Sequence, residues 1–257
     1  MARRSTPRTS RTVVRVLALS SLMLFACSAC ARQETGSMTS NKTFTDPVTA
    51  QLAQAAKSGD AALVRELVAG GANPNAHGRN GFTVLEWTML QQSRKGFEAL
   101  LAAGADPAEG NDDGMTAVHL AAQADTPYWL EILLAKGASP DTPNTVTRAT
   151  PVMAALMAER GDNAGLLLKA GAQVDATDRQ NNTALHVAAK INQMDWVLKL
   201  LEAGADPNAK NAQGVTFQRY LFMTRDAMLN AQTRRERDAI RDWLRDHHIA
   251  IEDSSSQ

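Results

Sequence analysis

The sequence predicts an all-α repeat solenoid of about five units closed by a divergent carboxyl-terminal cap with a long helix. Three observations carry that prediction. A short phrase, Gly-Ala-x-Pro or a close variant, recurs at Gly71, Gly104, Gly137, Gly171 and Gly204, with spacings of 33, 33, 34 and 33 residues. A threonine stands 21 residues before the later glycine in four copies, at Thr83, Thr116, Thr150 and Thr183, so two landmarks keep step. A constant period means one supersecondary unit repeated rather than a globule. The composition agrees: 44% hydrophobic residues but only 5% aromatic ones suit thin helical pairs that bury their apolar faces on neighbours.

Residues 1–31 precede the array. Arg3, Arg4, Arg8, Arg11 and Arg15 lead into the apolar run from Val16 to Ala26, the pattern of a secretory signal peptide. The run is nearer a dozen residues than the about 20 that a membrane span needs, so no transmembrane helix is expected in the mature chain. Both cysteines close the leader, and the cleavage site admits two readings. Leu24-Phe-Ala-Cys27 resembles the bacterial lipobox, which makes Cys27 the lipidation candidate, with Ser28 compatible with outer-membrane sorting. Ala29-Cys-Ala31 fits the small-x-small pattern of ordinary cleavage instead. The expected location is the periplasm, with a possible outer-membrane lipid anchor. Cys27-Ser-Ala-Cys30 is formally a redox pair, but it ends an apolar leader rather than opening a helix, which argues against redox chemistry.

Beyond the leader the chain carries 22 basic and 27 acidic residues, a net charge of −5. A weakly acidic body without a basic stripe excludes nucleic acid as the partner. The cluster Arg234, Arg235 and Arg237 is interrupted by Glu236 and Asp238 and reads as a solvated helix face. Residues 32–47, rich in Ser, Thr, Asn and Gln, read as a flexible tether reaching about 50 Å when stretched.

Residues 48–208 hold five units, each turn, helix, turn, helix. In the first, residues 52–56 form helix one and 63–68 helix two, and the lack of a hairpin marks an amino cap. Units three and five show the pattern most clearly, with Ala117-Val-His-Leu-Ala-Ala122 and Ala184-Leu-His-Val-Ala-Ala189 after their threonines. The fourth unit has one extra residue between Gly137 and Thr150, in a stretch holding Pro140 and Pro143, so its tip should protrude or bend. Residues 209–251 form the cap. Its helix, at about 229–247, places Ile240, Trp243 and Leu244 on one side, and 252–257 read as a disordered tail. Trp87, Trp129, Trp196 and Trp243 are expected to pack between units.

The phrases Gly114-Met-Thr-Ala-Val-His-Leu-Ala-Ala122, Asn181-Asn-Thr-Ala-Leu-His-Val-Ala-Ala189 and Gly204-Ala-Asp-Pro-Asn208 resemble those of the ankyrin-repeat family. The resemblance implies that His119 and His186 tie neighbouring loops through their rings, a tie lost where Glu86 and Met153 replace them. It implies a protein partner held on a concave face of hairpin tips and first helices. By position the contact residues are Arg79, Asn80, Phe82, Leu90, Asp112, Asp113, Met115, Val146, Arg148, Met157, Arg179, Gln180 and Ile191, with His77, Gln91, Asn111, Gln123, Thr145, Asn182 and Lys190 beside them. Phe82, Leu90, Met115, Met157 and Ile191 stand where solvated surfaces usually show polar groups. They either form an apolar stripe or pack locally between hairpins.

Enzymatic readings find no Gly-x-Ser-x-Gly elbow, no His-Glu-x-x-His and no phosphate-cradling glycine loop, so no catalytic residue, metal or cofactor is expected. His247 and His248 are adjacent on a helix and point apart, which disfavours a shared metal. Exported bacterial ankyrin proteins with a leader, about five units and a long terminal helix resemble antidotes to lipase-type toxins. That implies stoichiometric inhibition of a toxic enzyme. The alternatives are an accessory to a resident enzyme, such as a peroxide-protective one, or an envelope scaffold.

Overall fold

The computed structural model describes residues 43–252. Among them are twelve α-helices and one 3-10 turn. There are no strands, only isolated bridges between His77 and Thr83 and between Gly110 and Thr116. The helices pair in chain order: α1 (Pro47–Ser58) with α2 (Ala61–Ala69), α3 (Val84–Leu90) with α4 (Arg94–Ala102), and α5 (Ala117–Gln123) with α6 (Tyr128–Ala135). Then follow α7 (Pro151–Met157) with α8 (Gly161–Lys169), α9 (Ala184–Lys190) with α10 (Met194–Glu202), and the cap of α11 (Gln218–Leu221) and α12 (Ala231–Asp246). The all-helical repeat array expected from the period is what forms. No helix among the described residues is long and apolar enough to cross a membrane.

The recurring landmarks are boundary residues. Thr83 and Thr150 accept the amide protons of Glu86 and Met153, satisfying orphan donors at the starts of α3 and α7. The recurring glycine sits just past each second helix in the left-handed region, with φ of 101° at Gly71 and 85° at Gly137. There a side chain would be strained, so the phrase fixes where each helix stops.

Burial is continuous from unit to unit. Phe44 meets Trp87 edge-on at 5.8 Å and Phe97 meets Trp129 at 5.1 Å. Trp87, Trp129 and Trp196 are buried as expected, while Trp243 is half-buried and stacks on His247. The first two units press so close that a Cβ on Gly96 would stand 1.7 Å from the Ala56 carbonyl oxygen. Polar side chains cross the same junctions: Ser93 Oγ donates to Ala56 O, Asn163 Nδ2 to the carbonyls of Ala121, Ala122 and Ala124, and Gln193 Nε2 to Leu156 O. Each adds a side-chain donor at the carboxyl end of a preceding first helix, where Ala56 O, Ala121 O and Leu156 O also accept a backbone amide from the following turn.

The structure departs from the sequence expectations at both ends. Helix α1 begins at Pro47, not residue 52, because Asp46 caps it by accepting the Thr49 amide and proline is favoured in a first turn. The expected tether therefore stops short of residue 47. Thr43 and Phe44 are buried, and the Thr43 carbonyl accepts from Arg79 N as a hairpin tip would. At the other end Glu252 is no free tail residue, since it accepts from Thr216 Oγ1 and its amide donates to Gln218 Oε1. Ile240 and Leu244 of α12 are buried against the fifth unit. Arg237 overturns the solvated-face expectation: it is 1% exposed, with Nη1 donating to Thr224 O and to Asp226 Oδ1. Its long stem packs under the loop before α12, which charge spacing could not reveal. The leader, Cys27, most of the tether and residues 253–257 lie outside the described residues.

Candidate functional site

The hairpin turns are built by buried amide side chains and one half-buried carboxylate. Asn111 Oδ1 accepts from Asp113 N and Met115 N, Asp178 Oδ1 from Gln180 N and Asn182 N, and Asn211 Oδ1 from Gln213 N and Val215 N. Such turns present the residues between them outward. Asn111 and Asn182, placed by sequence among the contact residues, are buried organisers of the turns.

Rungs then join neighbouring tips. Thr145 N donates to Gly114 O, Arg179 N to Thr147 O and Ala212 N to Gln180 O. The histidine ties implied by the resemblance are present. His119 and His186 each accept at Nδ1 from their own capping threonine, which leaves Nε2 protonated. From there they donate to Ala149 O at 3.0 Å and Val215 O at 3.1 Å. Burial lowers both pKa values, keeping the rings neutral. His77 adds a similar contact to Gly110 O at 3.0 Å. These rings are structural.

On this frame Arg79, Asn80, Asp112, Asp113, Val146, Arg148, Arg179 and Gln180 are exposed at the tips. Leu90, Met157 and Ile191 are exposed at the ends of the first helices, Leu90 by 48% and Met157 by 65%. Phe82 and Met115 are not part of that open stripe. Phe82 is half-buried against the core, and Met115 is half-buried with Gln123 Nε2 at 3.9 Å from its sulfur. Local packing is what these two do.

One member escaped the sequence reading. Leu90 and Met157 each lie seven residues after their threonine, and Met223 stands seven after Thr216, exposed by 67%. The threonine register was the signal for it, obscured because the cap loses the Leu-His pattern. Leu90, Met157 and Met223 thus alternate with Gln123 and Lys190 at one position in five successive units. An array held by buried amides and rings presents these groups in fixed relative positions, which lowers the ordering cost of binding.

Comparison with known proteins agrees with this architecture. A family model described as ankyrin repeats (3 copies) matches residues 52–144 and 128–211. Protein PhlB of Serratia liquefaciens is 37% identical over 114 residues, which is 44% of this chain and 50% of that protein. Inversin of Gallus gallus is 40% identical over 67 residues, 26% of this chain and 6% of inversin. The chain therefore spans half the length, or far less, of these relatives. Among solved structures, the ankyrin repeat domain of Bcl-3, a member of the IkappaB family, superposes with a TM-score of 0.62 at 28% identity, covering 74% of this chain and 81% of that one.

Proposed function

The chain belongs to the ankyrin-repeat family, a scaffold for protein–protein interaction, and from that premise we propose that it is a non-catalytic module that holds one protein through its tips and first helices. The observation that carries this reading is the series Leu90, Met157 and Met223, joined by Val146 and Ile191. These are large apolar side chains left exposed beside the polar tip residues on one face of the array. Burying one in a partner is worth roughly 1.5–3 kcal/mol, so two or three suffice as anchors.

In this proposal the tips and first helices form a concave face. The protein is exported behind its leader to the periplasm, anchored through Cys27, and acts as an antidote that blocks a lipase-type toxin without turnover. The support is the organisation of the chain: arginine-rich apolar leader, lipobox-like Leu24-Phe-Ala-Cys27, five units and a long terminal helix.

Capture with the full chain from periplasmic extract tests the reading. One dominant partner, whose hydrolytic activity falls to the background at a one-to-one ratio, is the expected result. A partner whose activity rises would replace the antidote by an accessory. Several partners of equal affinity would replace it by a scaffold. Mass spectrometry of the mature amino terminus tests the anchor, an acylated Cys27 being expected and an unmodified Arg32 excluding it.

A further inference from the structure

We propose that the carboxyl-terminal half of the docking face is shaped for an acidic protein segment with an apolar side chain, gripped by Arg148, Arg179 and Lys190 around Val146 and Ile191. The proposal rests on the docking-face reading above and names the chemistry of the partner.

The extra residue of the fourth unit is the first observation. In neighbouring tips the turn closes four residues on, Asn111 N to Met115 O and Asn211 N to Val215 O, whereas Asn144 N closes five residues on to Ala149 O. Asn144 Oδ1 accepts from Val146 N at 2.8 Å and Thr147 N at 2.7 Å, so the added residue forms an ordered knob. The knob carries Val146 outward and holds Arg148 exposed at φ 60°.

The second observation is that Arg179 joins Arg148 at this knob and Lys190 stands at the next turn along the face. Arg179 N donates to Thr147 O at 2.9 Å, and its Nη2 lies 3.4 Å from Thr145 O, so its side chain reaches across onto the fourth tip. At the foot of the same turn Asn182 Oδ1 accepts from Lys190 Nζ at 2.9 Å, and the ammonium lies 4.7 Å from the centre of the Tyr220 ring. Lys190 is thereby fixed next to Ile191.

The third observation is the missing counter-charge. Among the described residues Arg148, Arg179 and Lys190 form no ion pair, whereas Arg160, Lys199, Arg241 and Arg245 pair with Asp125, Asp195, Asp226 with Asp238, and Asp242 respectively. Asp178 lies in the Arg179 turn, but its Oδ1 accepts from Gln180 N and Asn182 N and its Oδ2 from Asn182 Nδ2. The tip of the third unit carries Asp112 and Asp113 instead, so charge reverses along the face and would orient the partner. A guanidinium fork takes a carboxylate through two parallel hydrogen bonds, the geometry an acidic segment supplies. Nucleic acid fits poorly, because three cations interleaved with Val146, Met157 and Ile191 neutralise few phosphates.

The test uses the full chain and synthetic fluorescent peptides of one length with the same leucines, carrying aspartates, lysines or asparagines, with single-stranded DNA as a further probe. Anisotropy titration should show the aspartate peptide binding about tenfold tighter than the others, less so at high salt. Arg148→Glu with Arg179→Glu should erase that preference with the melting temperature unchanged. Equal binding of the three peptides, tighter binding of DNA, or retention of the preference within about twofold after charge reversal overturns the proposal. A captured protein partner that is lost on Met157→Asp but kept on charge reversal leaves the docking face standing and removes only the acidic partner. Indifference to both sets of substitutions removes both.

Discussion

Glu86 occupies the register position of His119 and His186, three residues after a capping threonine. One carboxylate oxygen does part of the histidine's work, accepting from Thr83 N at 2.9 Å, while Thr83 Oγ1 accepts the Glu86 amide. The other oxygen is buried without a hydrogen-bond partner. That desolvation, aided slightly by the nearby Glu109 charge, pushes the Glu86 carboxyl up from 4.5 to about 7. The folded chain therefore holds this proton more tightly than the unfolded one. Stability from Glu86 is complete below about pH 4.5 and is lost as pH rises through about 7, on the order of 3 kcal/mol in all. His119 and His186 act oppositely: with folded pKa values lowered, their contribution is present above about pH 6.5 and lost as pH falls. Glu86→Gln should flatten the decline between about pH 5 and pH 8 and raise the melting temperature at the alkaline end, as measured by thermal unfolding over that range. The loss of a ring at this position was legible in the sequence. The abnormal proton affinity was not, because it depends on how completely the third unit covers the carboxyl.

Among the elements, α12 shows most clearly what a charge pattern conceals. Arg234, Arg235 and Arg237 look alike along the chain, yet Arg234 and Arg235 are exposed and Arg237 is buried under the segment from Thr224 to Asp226. Helical periodicity located Ile240 and Leu244 in the interface. It could not single out Arg237, whose placement depends on the 3-10 turn at Asp226–Met228 supplying Asp226 from 11 residues upstream. Truncating Arg237 removes the donor to Thr224 O while Asp226 keeps Arg241, a loss of about 1–3 kcal/mol. Arg237→Ala should raise amide exchange across residues 223–230 and α12 while α3 to α8 keep their protection, measured by hydrogen exchange with mass spectrometry. Uniform loss of protection would show that the cap is not a separable element. The fourth tip was more transparent, since a 34-residue spacing in a 33-residue series announces one extra residue, and Asn144 shows where it goes.

For the molecule as a whole, the period made the fold readable because each unit meets only its neighbours, so local repetition and long-range packing carry the same information. Exposure along the proposed docking face was half readable. Leu90, Met157 and Ile191 are exposed as their register suggests, but the half-burial of Phe82 and Met115 depends on the adjacent hairpin, and Met223 lies beyond the recognisable repeats. Leu90→Asp with Met157→Asp should lower affinity for a captured protein by about ten- to a hundredfold, because two apolar anchors are replaced by charges that must be desolvated. The melting temperature should move little, since both side chains stand in solvent. Calorimetric titration beside differential scanning checks both halves, and an unchanged dissociation constant would place the contact elsewhere.

The junction between the second and third units combines the Glu86 substitution with the least intimate backbone approach in the stack, crossed by the Phe97–Trp129 ring contact, the Tyr128 hydrogen bond to Glu98 and the His77 contact to Gly110 O. Under load that seam is expected to act as the mechanical fuse. Stretched between its ends in an optical trap, the array should rupture there first, into a two-unit piece and a longer one, at a force that drops when the medium is made alkaline. A first rupture at any other seam, or a force indifferent to acidity, would deny Glu86 that part.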